Sequence, residues 1–289
     1  MRWTLLMVAI LLLGSSRLPG QARDSTPPPV DIVRLATSVA GQGSALERTG
    51  RLVYWINDSL KWSYTDYVRR SPPEILARRQ GNCADLASVL HMMLDSMGIR
   101  SRWIREINVQ PEKTPNRQKT AEGLVVSKGV SYSVFGLQHN DHVWLEVWDG
   151  TAWFPADPAY GVVGYDQWLP ARLALADRPL PRVKAVVPIA ADMRAPFVVL
   201  AQEKRSGPFE EDRTTFYLID EFTRLYHGRL ATLPAWNSWV AAVREVSPHA
   251  RGAFEGKENL HLQTDRIAHL KLVYDSLVAE AAARKISWR

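Results

Sequence analysis

The chain has a single cysteine in 289 residues, Cys83, and that scarcity removes several classes of protein at once. No internal disulfide can form, a thiolate zinc cluster lacks ligands, and no cysteine stands near the amino terminus to carry a lipid. The opening apolar run, Leu5–Leu13, is nine residues long, well short of the roughly 20 that span a bilayer. Charge is only modestly unbalanced, with 36 Lys and Arg against 30 Asp and Glu, spread along the chain. Such a balance tolerates an anionic envelope surface but offers no concentrated stripe for nucleic acid, so none is expected as a partner. The histidines at 227, 249, 261 and 269 show no metal-ligand spacing with carboxylates, so neither metal nor cofactor is expected. There is no internal repeat.

What is present reads as a globular protein, 46% hydrophobic and 23% charged, long enough for one large or two modest domains. Seven of the 11 tryptophans fall between Trp55 and Trp168, a density that suits a core first and an aromatic cleft second. Met1–Ala22 has the pattern of a secretory leader: Arg2, the apolar run, then Gly20 and Ala22 before Arg23. The expectation is an exported protein, periplasmic or extracellular, with no stable membrane anchor after cleavage. A lone thiol in an oxidising compartment is a liability unless it is used.

Ser25-Thr26-Pro27-Pro28-Pro29 reads as a stiff linker. The layout is then a leader at 1–22, a lead-in at 23–50, a first domain at 51–180, called catalytic below, and a mainly helical C-terminal region at 181–289, with the Pro-rich stretch Leu180–Pro188 as the boundary. Within the catalytic domain, Arg51–Leu60 has helical spacing, and Ser71 followed by Pro72 opens a short helix. Leu86, Val89, Leu90, Met93, Leu94 and Met97 form one apolar stripe. Asn82 caps it, Asp85 stands at the reciprocal capping position, and Gly98 stops it. Ile99–Val109 and His142–Trp148 alternate as strands, Gln110–Gly123 is an exposed loop, and Asp149-Gly150 signals a hairpin to a strand at Ala152–Asp157. Beyond Ala195 the spacing is helical, most plainly from Leu262 to Ala281. That region is expected to add no catalytic residue and to be separable near Pro188.

Two placements carry chemistry. Cys83 follows the Asn82 cap, so its sulfur sits among unpaired N–H groups at the positive end of the helix, where the thiolate is favoured. A two-residue turn at Asp149-Gly150 pairs Trp148 with Thr151 and, counting back, puts His142 opposite Asp157. Their Cβ atoms would stand about 4.5–5.5 Å apart on one face. A carboxylate there can hold one imidazole nitrogen and leave the other for a thiol. Pro155 cannot donate to the ladder, so a bulge or an early strand end is expected beside it.

The segments Gly81-Asn82-Cys83-Ala84-Asp85-Leu86-Ala87 and Met97-Gly98-Ile99-Arg100-Ser101-Arg102 resemble the cysteine block of the transglutaminase-like superfamily. His142-Val143-Trp144-Leu145-Glu146-Val147 resembles its histidine strand, and Trp153-Phe154-Pro155-Ala156-Asp157-Pro158 its Trp-x-x-x-Asp-Pro segment. The resemblance covers about Leu52–Trp168. It implies an α+β papain-related core, a nucleophile helix packed on an antiparallel sheet, with acyl transfer through a thioester. The catalytic residues it implies are Cys83, His142 and Asp157. The substrate would be a peptide or protein amide, possibly of the cell envelope. The backbone N–H of Cys83 would supply one oxyanion donor, with Trp62, Tyr64, Gln80 and Asn82 as candidates for the second. The competing reading is a catalytically silent module of the same fold that grips envelope peptides or glycans. His139 reads as a loop histidine and His91 as packing or surface. Asn57-Asp58-Ser59 fits a glycosylation sequon.

Overall fold

The structure, a computed structural model, describes residues 31–63, 68–108, 142–172, 196–205, 209–226, 228–254, 257–258 and 263–286. The leader, the Pro-rich linker, Tyr64, the loop at 110–123, His139 and the boundary at 180–188 lie outside the described residues. Helices α1 (Ile32–Ala40) and α2 (Ala45–Ser59) open the chain, followed by β1 (Lys61–Trp62), α3 (Pro72–Arg78) and β2 (Gln80–Gly81). Then come α4 (Cys83–Asp95), β3 (Ser101–Asn108), β4 (His142–Trp148), β5 (Trp153–Asp157), β6 (Val162–Val163) and α5 (Tyr165–Arg172). The C-terminal part adds β7 (Pro196–Gln202), β8 (Glu211–Asp212), a π-helical turn (Phe216–Glu221), α6 (Phe222–Leu225), a 3₁₀ turn (Arg229–Thr232), α7 (Pro234–Phe254) and α8 (Thr264–Ala283). No helix among the described residues is long and apolar enough to cross a membrane.

Six strands form one antiparallel sheet in the order β6-β5-β4-β3-β7-β8, and β1 and β2 make a small parallel pair. The fold class is α+β, as the sequence implies. Strand alternation divides two cores. Trp103, Val143, Leu145, Val147 and Ala156 point to the first core, built with α1, α2 and α4. Ile104, Trp144 and Ala201 point to the second, built with α5 and the C-terminal helices. A strand buried on both faces cannot be half polar unless its polar groups find partners, and β4 is buried along almost its whole length.

The region beyond Ala195 is mainly helical, as its periodicity predicts, but two of its segments are strands that extend the sheet begun by β3–β6. β7 pairs along β3 from Trp103↔Gln202 to Asn108↔Pro196. The second core also joins Trp144 and Trp168 to Tyr217, Trp239 and Tyr274, so packing crosses the composition boundary near 180. Stripping this layer would expose Ile104, Trp144 and Trp168, all fully buried. At about 1.5–3 kcal/mol for each such side chain, the loss rivals the roughly 5–15 kcal/mol that holds a domain together. A chain ending at Pro188 should therefore lose cooperative folding, read as the absence of a sharp thermal transition by circular dichroism. A sharp transition in that fragment would show the first core to be self-sufficient.

Candidate active site

Helix α4 starts where the sequence places it. Asn82 Oδ1 accepts from the N–H of Ala84 at 2.9 Å and of Asp85 at 3.1 Å, and Asp85 Oδ2 accepts in return from the Asn82 N–H at 3.3 Å. The first turn is thus capped reciprocally, and Cys83 is the first helical residue, half-buried. Gly81 makes this possible, because a Cβ there would lie 2.5 Å from the Cβ of Asp85. At the other end Ile99 N–H bonds to the Leu94 carbonyl and Gly98 N–H to that of Asp95, a Schellman closure with Gly98 at φ 68°.

The hairpin differs from its expected form. Asp149 Oδ1 accepts from the N–H of Thr151 at 2.8 Å and of Ala152 at 2.9 Å, and the Asp149 N–H reaches the Ala152 carbonyl. These bonds stabilise a four-residue loop, so Trp148 pairs with Trp153 and not with Thr151. Carried one step past Leu145↔Ala156, that register sets Asp157 opposite Trp144, making it the diagonal neighbour of His142. The slip is two residues, so the face is unchanged. Pro155 causes no bulge: it pairs with Glu146 in an unbroken strand, and its carbonyl accepts from Gly164 N–H at 2.7 Å. Its missing N–H is therefore on the β6 side, and no β4–β5 bond is lost.

Despite the changed register, the two side chains meet: His142 Nε2 donates to Asp157 Oδ2 at 2.7 Å. Asp157 Oδ1 accepts from the N–H of Ala159 at 3.0 Å and of Tyr160 at 3.3 Å. Asn57, half-buried on α2, donates Nδ2 to the carbonyls of Pro158 and Ala159, at 3.0 and 3.1 Å. Its amide, the group a glycan would need, is spent on holding the turn that orients Asp157. The His142 ring stacks near Trp144 at 5.6 Å and meets Tyr160 edge-on at 4.9 Å, and the Cys83 side chain favours its charged form. Burial disfavours the imidazolium, but the Asp157 charge and hydrogen bond, with Cys83 and Tyr160, outweigh it and raise the His142 pKa well above its usual range.

His142 and Asp157 are thus joined by a hydrogen bond, with Cys83 near enough to act on the charge of the ring. Among the oxyanion candidates, Asn82 has its amide oxygen and backbone N–H committed to the cap. The Gln80 amide oxygen, oriented to satisfy both groups, accepts from Arg78 at 3.0 and 3.2 Å. Neither set of bonds occupies the side-chain N–H groups of Gln80 or Asn82, so both stay candidates with Trp62, which pairs with Gly81, two residues before the thiol, and packs with Cys83 against the first core; Tyr64 lies outside the described residues. His91 shares a 2.8 Å hydrogen bond with Ser101 and lies against Trp103, a packing position. No group of three His, Cys, Asp or Glu among the described residues is placed to hold a metal. The sequence reading missed the roles of Asn57 and Tyr160.

Because Gly81 and the cap are coupled, Gly81→Ala should cost about 1–2 kcal/mol, the scale of a lost N-cap. It should also slow alkylation of Cys83, measured by mass spectrometry. Unchanged stability and labelling would show that the cap absorbs the methyl group.

Residues 33–158 match the model of the transglutaminase-like superfamily. Two solved structures are similar at the level of chain trace. One is described as a candidate cysteine protease from Cytophaga hutchinsonii, with 14% identity, TM-score 0.32, and coverage of 46% of this chain and 39% of that one. The other is Rad4–Rad23 bound to a 6-4 photoproduct lesion, with 12% identity, TM-score 0.34, and coverage of 86% and 51%. This chain therefore spans about half or less of either relative. No curated protein matches. The stretch from Val33 to Pro158, which carries the helix of Cys83 and the strands of His142 and Asp157, is a transglutaminase-like domain.

Proposed function

We propose that this chain is a cysteine-dependent acyl-transfer enzyme acting on peptide or isopeptide amides, and that it works outside the cytoplasm. The observation that supports this most is the His142 ring, bonded through Nε2 to a buried carboxylate, with the Cys83 side chain acting on its charge. Asp157 fixes which nitrogen faces away from the sulfur and stabilises the imidazolium. The Cys83 proton passes to His142, the sulfur attacks the amide carbonyl, and an S–C bond forms. The C–N bond then breaks as the imidazolium protonates the departing amine. Water or a second amine attacks the thioester, returning the proton through His142 and releasing Cys83. The Cys83 N–H, left over by the cap, stabilises the oxyanion, with Trp62, Tyr64, Gln80 and Asn82 as candidates for the second donor. The leader pattern of Met1–Ala22 supports export.

His142→Ala should slow acylation of Cys83 by an amide-mimicking electrophile about 10²–10⁴-fold, the usual contribution of a positioned acid–base group. Equal labelling of both proteins would leave the fold as a binding module without turnover.

The raised His142 pKa gives a pH signature. A histidine held protonated by its partner adds stability that is complete below about 6.5, its unfolded value, and is lost as pH rises through the folded value. The alkaline limb of kcat/KM should therefore lie well above that ordinary value. In Asp157→Asn it should move down while rate falls and the fold persists. A limb that does not move would remove Asp157 from the mechanism.

A further inference from the structure

Two consecutive peptide planes beside Asp157 are each held at both ends. The Pro158–Ala159 plane gives its N–H to Asp157 Oδ1 at 3.0 Å, and its carbonyl accepts from Asn57 Nδ2 at 3.0 Å. In the Ala159–Tyr160 plane the N–H reaches Oδ1 at 3.3 Å and the carbonyl accepts from Nδ2 at 3.1 Å. A trans peptide points its C=O and N–H in opposite directions. Asn57 and Asp157 therefore grip the same two planes from opposite sides, although Asn57 stands 101 residues before Pro158.

Gly161 lets the helix come this close. Its φ is 67°, and a Cβ there would lie 2.8 Å from Asn57 Oδ1 and 2.9 Å from its Cγ. On the same face of α2, three residues back, the Tyr54 hydroxyl accepts from Gln167 Nε2 at 3.1 Å, and Gln167 Oε1 accepts from the Val163 N–H at 3.1 Å. Helix α2 thus holds the chain on both sides of Gly161, and a shift of the turn would break bonds to the helix.

Asp157 is fully buried, with Oδ2 accepting from His142 Nε2 at 2.7 Å. Because Oδ1 is pinned by two N–H groups, the two planes set the direction of Oδ2. A donor on the far carbonyl also polarises each plane and strengthens its N–H. We propose that Asn57 is a positioning residue of this site, fixing through these planes the line along which Asp157 meets His142. Its bearing on rate rests on the acyl-transfer reading; the positioning itself does not. The other polar groups around the ring are Cys83 of α4, Tyr160 of the turn and, across on β3, Glu106 with its partner Arg172. Tyr160 shares the turn, so a loosened turn has two routes to the ring, and a double substitution separates them.

The experiment follows the His142 ring in the full chain by NMR with isotope-labelled histidine, its signal assigned by its loss in His142→Ala. Asn57→Ala should lower the titration midpoint of His142, a loss of about tenfold in proton affinity, the scale on which a hydrogen bond to a charged group is weakened. Asp157→Asn should lower it at least as far. Adding Asn57→Ala to Asp157→Asn should lower it no further, because two changes acting through one group do not add. Gly161→Ala, whose methyl group would press on the Asn57 amide, should shift the midpoint in the same direction. A midpoint unmoved in Asn57→Ala, or in Gly161→Ala if Asn57→Ala does not fold, overturns the proposal. So does an equal shift from Asn57→Ala with and without Asp157, which would be a general loosening or the Tyr160 route. In a second arm, Cys83 is acylated by an amide-mimicking electrophile. Asn57→Ala should slow the step by up to about 100-fold, the scale of a misplacement of an ångström, with reversible affinity for the probe unchanged. A lowered midpoint with an unchanged rate overturns the bearing of Asn57 on catalysis. A lowered midpoint with no acylation even of the unsubstituted chain overturns the acyl-transfer reading and leaves the positioning standing.

Discussion

The molecule is organised by a strand that has no wet face. β4 sends Val143, Leu145 and Val147 into one core and His142, Trp144 and Glu146 against the other layer. Three apolar residues on the first face need only shape. The second face must receive a histidine and a fully buried glutamate, and a buried carboxylate without partners is costly. Glu146 is met by Arg102 at 2.6 and 2.8 Å, by Arg213 at 3.2 Å and by the Tyr217 hydroxyl at 2.7 Å. Glu106, across from His142, is paired with Arg172.

That requirement explains why the C-terminal part is bound so closely to the domain that carries the site. Arg213 and Tyr217 come from beyond β7, and Tyr217 stands on a π-helical turn, whose extra residue per turn re-aims a side chain. The aromatic contacts of Trp144, Trp168 and Tyr217, with ring centres 4.8–6.0 Å apart, close the space around the ions. Removing one member of such a network strands the others, so it contributes more to specifying this arrangement than to net stability. The end of the same sheet, where β4 begins at His142, is where α4 begins at Cys83.

Much of this was readable from local chemistry. The Asn82 cap, the Asp85 return bond and the Gly98 stop are short-range devices with few alternatives, and each took its expected form. The hairpin register differs from its expected form by two residues, because Asp149-Gly150 signals a tight turn while the Asp149 side chain instead gathers Thr151 and Ala152. Strand β7 was passed over because Phe197-Val198-Val199-Leu200-Ala201 is a continuous apolar run, which periodicity cannot separate from a buried helix. Arg105 and Arg205 share no spacing at all. Only the placement of β7 beside β3 brings Arg205 to Arg105, and strand order is not a property of any local window.

The hairpin error exposes a rule of parity. Because side chains alternate with a period of two, adding or removing an even number of residues in the loop between Trp148 and Trp153 slides β5 along β4 without exchanging its faces. An odd change would turn the carboxylate away from the imidazole, however well the loop closed. The loop thus behaves as a ratchet with two kinds of tooth: an even change keeps the carboxylate on the face of the imidazole while moving it along β4, and an odd change takes it off that face. Variation in this surface turn is quantised by the sheet beneath it.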